Sequence, residues 1–324
     1  MRAESVFGAV IHPHSKPGRM VLEVSDSLLG VLLASVAAVG FAGQFLFARL
    51  GTETGEVTDG VLVVLGCNIA LLTPPVLVLY SPPYVDLFTP YSVASFGAAG
   101  LAGMFVARLL TFKSIQEIGA NLTSPVIASN VFFATVFAVV FLEERLTAVH
   151  FAGIVLIVAG IAVVSWETAA ATGPEQSIRE TGATLVVPLV AAACIGIEPI
   201  FISMGLAAGT PTLPGIVVMA VVATVGFVGY LRWTDSLRPI PIRAASTGWF
   251  VAGGISTTVG FVAYFAALEI APVVVVMPLL QLTPLLVVVL SVLFLPRRLE
   301  RVTWPVGVAA LVVVVGATLV SLSG

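Results

Sequence analysis

The sequence predicts an all-α integral membrane protein with ten transmembrane helices, arranged as two inverted five-helix repeats. Three observations carry that prediction. The apolar excess is too large for a water-facing surface, apolar runs of bilayer-spanning length recur along the chain, and an internal repeat divides those runs five and five.

Of 324 residues, 59% are hydrophobic and only 10% are charged, with a mean hydropathy of +1.12. A soluble domain carries roughly 25% charged residues because its surface faces water. This chain therefore has lipid as its main solvent. The net charge of −3 offers nothing to a nucleic-acid backbone. Cys67 and Cys194, the only cysteines, sit inside apolar runs and read as small core residues rather than a disulfide framework. His12, His14 and His150 form no cluster with metal-ligand spacing, so neither a metal nor another cofactor is expected.

Residues 1–27 read as an N-terminal tail. Its first ~25 residues are mixed polar and lack a compact apolar core before the first span, so no cleaved signal peptide is expected, and Met20, after residues 1–19, is a second candidate start of translation. A helix needs about 20 apolar residues to cross the hydrocarbon core. Runs of that length lie at 28–50, with Arg49 next to its end, and at 60–80, holding Cys67 and Asn68. The third, 94–115, carries Gly97, Gly100 and Gly103, and the fourth, 120–141, carries Pro125. The fifth, 148–166, has Gly153 and Gly160; the glycines of both stretches let backbones approach closely. After a polar linker at 167–182 come 183–205, with Glu198-Pro199, then 215–231 and 247–268. The ninth, 272–295, has Pro278 and Pro284, and 303–322 closes the series. Strands of a membrane barrel would alternate in polarity; these runs are apolar all round.

The linker separates residues 28–166 from 183–322, five spans each. Shifting the sequence by 153 positions sets Pro125 on Pro278, Phe141-Leu142 on Phe294-Leu295, and Arg145-Leu146 on Arg298-Leu299. An odd number of spans per repeat makes the second enter the membrane from the opposite face. Inverted repeats of this kind are a hallmark of secondary transporters.

Each half resembles one EamA domain of the drug/metabolite transporter superfamily. In the first half the resemblance rests on Phe112, Ile118-Gly119-Ala120, Pro125, Phe141-Leu142-Glu143-Glu144-Arg145-Leu146, Gly153 and Gly160. In the second it rests on Tyr264-Phe265-Ala266-Ala267-Leu268, Pro278, Leu295-Pro296-Arg297-Arg298-Leu299, Gly307 and Gly316. Pro296-Arg297 departs from the usual acidic residue, and Lys113-Ser114-Ile115 stands in place of Ala-Leu. The resemblance implies two inverted five-helix repeats in the cell membrane with both termini cytoplasmic. The loop arginines disagree: Arg232, Arg238, Arg243, Arg297, Arg298 and Arg301 cluster on one face, against Arg145, Arg2, Lys16 and Arg19 on the other. Positive-inside counting then places the termini outside; the family orientation is the one adopted.

Ionisable residues within a span cost at least about 2.5–3.5 kcal/mol to insert, so they mark function or pairing. Arg49 and Lys113 sit at span ends, whereas Arg108 and Glu198 lie deeper. Pro199 frees the carbonyl of Ile195 beside the Glu198 carboxylate, a combination suited to a cation, an ammonium group or a proton. The bland alternative is a neutral structural acid. Arg108 has three readings: partner of Glu198, outward snorkelling, or contact with an anionic solute group. Each residue sits about 10 Å from its span end, at opposite faces, which leaves a height gap of roughly 10 Å in a core about 30 Å thick. Uncharged candidates for the cavity are Gln44, Asn68, Asn121, Asn130, Tyr264, Gln281 and Thr283, each of which could equally join two packed helices. Pro125, Pro199, Pro278 and Pro284 are the candidate helix breaks.

The leading expectation is a secondary-active transporter, exporter or exchanger, of a small metabolite. No GxxxxGK[ST] phosphate loop is present, so a gradient rather than ATP would drive it. A membrane enzyme lacks clustered acid/base residues here; a non-transporting scaffold is the remaining alternative. Expected partners are a small-molecule solute and the lipid bilayer, with a homodimer left open and no nucleic acid.

Overall fold

The computed structural model describes residues 17–142, 148–172, 178–241, 244–270, 279–296 and 303–322. Among them every regular element is a helix. In chain order these are α1 Pro17–Gly51, α2 Val57–Leu79, α3 from Pro90 to Ile118, α4 Ala120–Ile127, α5 Asn130–Leu142, α6 Ala148–Thr172, α7 Ile178–Ala207, α8 Thr212–Trp233, α9 Ala245–Ile270, α10 Thr283–Phe294 and α11 Trp304–Leu322. Within these, six stretches are long and apolar enough to cross a bilayer: Leu29–Gly51, Val57–Leu79, Pro90–Ile118, Thr184–Ala207, Thr212–Trp233 and Ala245–Ala267. Shorter apolar stretches occupy Leu122–Ala134, Phe151–Gly160, Thr283–Phe294 and Trp304–Leu319.

The ends follow local chemistry. Helix α1 starts eleven residues before the expected span at 28, on Pro17, whose fixed φ suits a first helical position. Helix α3 also outruns its expected span at both ends. Thr89 and Ser92 exchange side-chain and backbone hydrogen bonds of 3.0 Å in a capping box around Pro90. At the far end Gly119, with φ 87°, stops α3 in a backbone region that only glycine enters cheaply. Inside α3, Gly100–Ala107 is π-helical, an irregularity frequent at functional sites.

The expected single span 120–141 is two helices. Pro125 cannot donate to the carbonyl four residues back, and the chain turns at Ala128-Ser129 before α5 begins. The carbonyls this frees are answered locally. Ser129 Oγ donates to Val126 O at 2.6 Å and Asn130 Nδ2 to Ile127 O at 2.9 Å. The ninth span breaks in the same way, with a turn at Gln281-Leu282 and Thr283 Oγ1 donating to Leu280 O at 2.7 Å. Adding 153 to Ile127 and Asn130 gives Leu280 and Thr283, so both breaks are closed by the same bond at equivalent positions. Pro278, which would correspond to Pro125, lies outside the described residues, as do Glu143-Glu144-Arg145-Leu146, Arg243, Arg297, Arg298, Arg301, the centre of the linker and the first 16 residues.

The helices pair in a pattern that repeats with the two halves exchanged. Helix α1 packs on α9, and its counterpart α7 packs on α3; α2 packs on α9 as α8 packs on α3; α1 meets α10 as α7 meets α5. Helices α6 and α11, equivalent to each other, pack together, with a Cβ at Gly316 only 2.7 Å from Gly153 O. The halves are therefore interlocked. Their shared core includes Phe45, Leu65, Phe96, Met104, Phe112, Phe227 and Phe250, and Phe112 of the first half stacks on Phe250 of the second at 6.4 Å. Large apolar side chains also cover the exterior, among them Leu32, Val78, Phe151, Val225 and Phe294. Water would not tolerate such a belt, whereas hydrocarbon is its natural solvent.

Candidate functional site

Glu198 lies in α7, three residues past the midpoint of Thr184–Ala207, and is half-buried. Its carboxyl rests against Gly103 in the π-helical part of α3. A Cβ at position 103 would collide with Glu198 Oε2 and Cδ and sit 2.6 Å from Oε1. The missing side chain at 103 is thus what admits the carboxylate. Two residues earlier, Gly196 lets α7 approach the other side: a Cβ there would lie 2.8 Å from Asn130 O and 2.9 Å from Ala134 N. At this level α7 is consequently held between α3 and the broken fourth span. Pro199 follows it on the exposed side of α7.

Arg108 opens the regular α-helical part of α3, immediately after the π-helical stretch. It is only 6% exposed, so the outward-snorkelling reading is corrected. The same helix face that buries Met104 in the core carries it inward. Arg108 and Glu198 act on each other electrostatically, yet among the described residues no ion pair joins them. Five residues of α3 separate Arg108 from the level of Gly103, about 7.5 Å of axial rise at α-helical spacing, which a guanidinium spans in part. Among the described residues, Arg108 Nη1 is buried with no hydrogen-bond partner, as is Thr111 Oγ1 one turn later. Tyr264 of α9 also lies within electrostatic range of Glu198. Spans three, six and eight therefore meet near the carboxylate.

Other candidates are engaged elsewhere. Gln44 Oε1 accepts from Thr257 Oγ1, and Asn68 Oδ1 accepts from Thr258 Oγ1 at 2.9 Å. Ser256 Oγ donates to Gly40 O at 2.8 Å. Three consecutive hydroxyls of α9 thus bind α1 and α2, and Gln44 serves helix packing in this arrangement. Asn130 and Thr283 satisfy the two helix breaks, Pro125 and Pro284 lie buried beside those breaks, and Gln281 is buried in the second. The side chain of Asn121 is not described. At the helix ends Arg238 reaches Glu56 at 3.3 Å and Asp59 at 3.9 Å, and Arg49 donates to Ile115 O and Gln116 O, both at 3.3 Å.

Sequence reasoning missed Gly103 and Thr111 as site residues and did not single out Ser256-Thr257-Thr258. Three adjacent hydroxyls in an apolar span were a visible signal. Nothing in a run of small residues marks which glycine faces a carboxylate.

Residues 28–166 and 181–322 each match the profile of the EamA-like transporter family. Sixteen chains of solved structures match the fold. One crystal structure aligns at TM-score 0.62 over 91% of this chain and 96% of its own, with 16% identity. No curated protein matches by sequence.

Proposed function

The chain belongs to the EamA-like transporter family and is a multi-pass membrane protein of a transporter type; from that premise we propose a secondary-active carrier that moves a small metabolite by alternating access. In this reading ten spans form two inverted five-helix repeats in the cell membrane, with both termini cytoplasmic. The observation that carries it is the half-buried Glu198 carboxylate, held near the middle of its span against the π-helical part of α3 with Arg108 nearby and unbonded to it. A carboxylate within a span that has no ion-pair partner among the described residues is expensive to insert. Its retention fits a group that binds and releases a cation or proton during the cycle, as the coupling site of the carrier. The exchange-symmetric packing of the two halves supports the same reading, because two related arrangements give two related access states.

The test is solute counterflow in proteoliposomes, using a solute first found by ligand stabilisation of the purified protein. Glu198→Gln is expected to abolish or uncouple flux while the protein remains folded. Unchanged flux in that variant would remove Glu198 from the mechanism.

A further inference from the structure

We propose that Arg108, assisted by the Thr111 hydroxyl, anchors an anionic group of the transported solute, so that the solute class is a small organic anion such as a carboxylate or phosphate. The proposal rests on the carrier reading above and deepens it. Three observations converge. Arg108 is 6% exposed, and among the described residues its Nη1 has no hydrogen-bond partner. Thr111, 5% exposed, lies three residues on and so shares its helix face, and Thr111 Oγ1 is also without a partner. Buried donors are almost always satisfied, and an unmet guanidinium is among the costliest to leave so. Two such groups side by side fit a site completed by a ligand. Arginine's fork matches carboxylate and phosphate oxygens in pairs, and a hydroxyl one turn away can supply a third donor.

Glu198 sharpens the inference. It lies within electrostatic reach of Arg108 without closing onto it. An anion seated on Arg108 is repelled by an ionised Glu198, so it enters together with a proton or other cation that neutralises the carboxylate. Anion binding at Arg108 and cation binding at Glu198 are therefore favourably coupled, and by linkage each tightens the other.

The experiment uses the full-length protein in a neutral detergent, free of anionic lipid, so that lipid headgroups cannot supply the anion. Sodium acetate and sodium phosphate are titrated at constant ionic strength, with acetamide as the uncharged control, and unfolding is followed by tryptophan fluorescence. A saturable rise in melting temperature is expected with at least one of the two anions and none with acetamide. Thr111→Val should weaken that binding several-fold and Arg108→Lys roughly tenfold or more. Glu198→Gln should tighten it at neutral pH, a gain that a purely structural arginine would not produce. A second arm adds vesicles containing phosphatidylglycerol; stabilisation found only there assigns the site to lipid and overturns the proposal. So does no saturable shift with either anion in the wild type, or an equal shift in Arg108→Lys and Glu198→Gln. If anion binding fails while an uncharged solute still shows Glu198-dependent counterflow, the anchor alone falls and the carrier reading stands.

Discussion

Replacing Gly103 with alanine separates the site from the scaffold, because the two respond with different magnitudes. Alanine gains roughly 0.5–1 kcal/mol over glycine inside a helix. Against this, the new Cβ collides with Glu198 Oε2 and Cδ and lies 2.6 Å from Oε1. The obstacle is the far end of a flexible side chain, so it yields by rotating, at roughly 0.5–1.5 kcal/mol for a strained χ angle. The two contributions nearly cancel, and Gly103→Ala should melt within about 1 kcal/mol of the wild type. The carboxylate, however, must retreat by more than about 1 Å to restore an ordinary contact. Misplacement on that scale costs on the order of 10²-fold where a reacting group must be held in position, and coupled flux should fall by a comparable factor. The paired assays are thermal unfolding in detergent and flux in proteoliposomes. Gly97→Ala is the control in the same helix: a Cβ there meets only Val222 methyls at 3.6 and 3.7 Å, so it should keep stability and flux alike. Wild-type flux in Gly103→Ala would refute the placement of Glu198.

Two further perturbations address the scaffold. Gly100→Ala places its Cβ 2.7 Å from Met219 Cα, and Gly40→Ala places one 2.8 Å from Gly260 Cα; backbone cannot step aside, so each should destabilise by about 1–3 kcal/mol, and an unchanged melting temperature would disprove the close packing. Arg238→Ala removes contacts to Glu56 and Asp59 in which the arginine is half-exposed; the loss should lie between about 0 and 1 kcal/mol and shrink at high salt, whereas a loss well above that range would mean the contact carries more than a surface ion pair.

Much of the fold was legible because lipid imposes a simple rule: apolar runs of sufficient length become helices. The runs at 28–50, 60–80, 94–115, 183–205, 215–231 and 247–268 each coincide with a helix of membrane-crossing length to within a few residues. The repeat offset of 153, read from Pro125 and the Phe141-Leu142 register, turned out to relate the Asn130–Ile127 and Thr283–Leu280 bonds as well. What hydropathy could not show is where an apolar run is interrupted. The fourth span carries no charge on either side of its break, and only Pro125 hinted that the chain turns at Ala128-Ser129. Glu198 and Arg108 stood out in sequence through the cost of their charge. Their relation depended on helix pairing, which side-chain periodicity in an all-apolar helix does not encode. The role of Gly103 depended on a facing helix in the other half of the chain.

Alternating exposure of the α7 face that carries Glu198 is the most direct measure of the central claim. In a Cys67→Ala, Cys194→Ala background that keeps Glu198, Ile195→Cys, one turn earlier and partly buried against the core, would be labelled with a membrane-impermeant thiol reagent applied to one side of sealed proteoliposomes of uniform orientation, then to the other. A carrier whose site lies between two interchanging halves predicts labelling from both sides, and protection from both when the solute is bound. Labelling confined to one side, or absent from both in a folded protein, would contradict it.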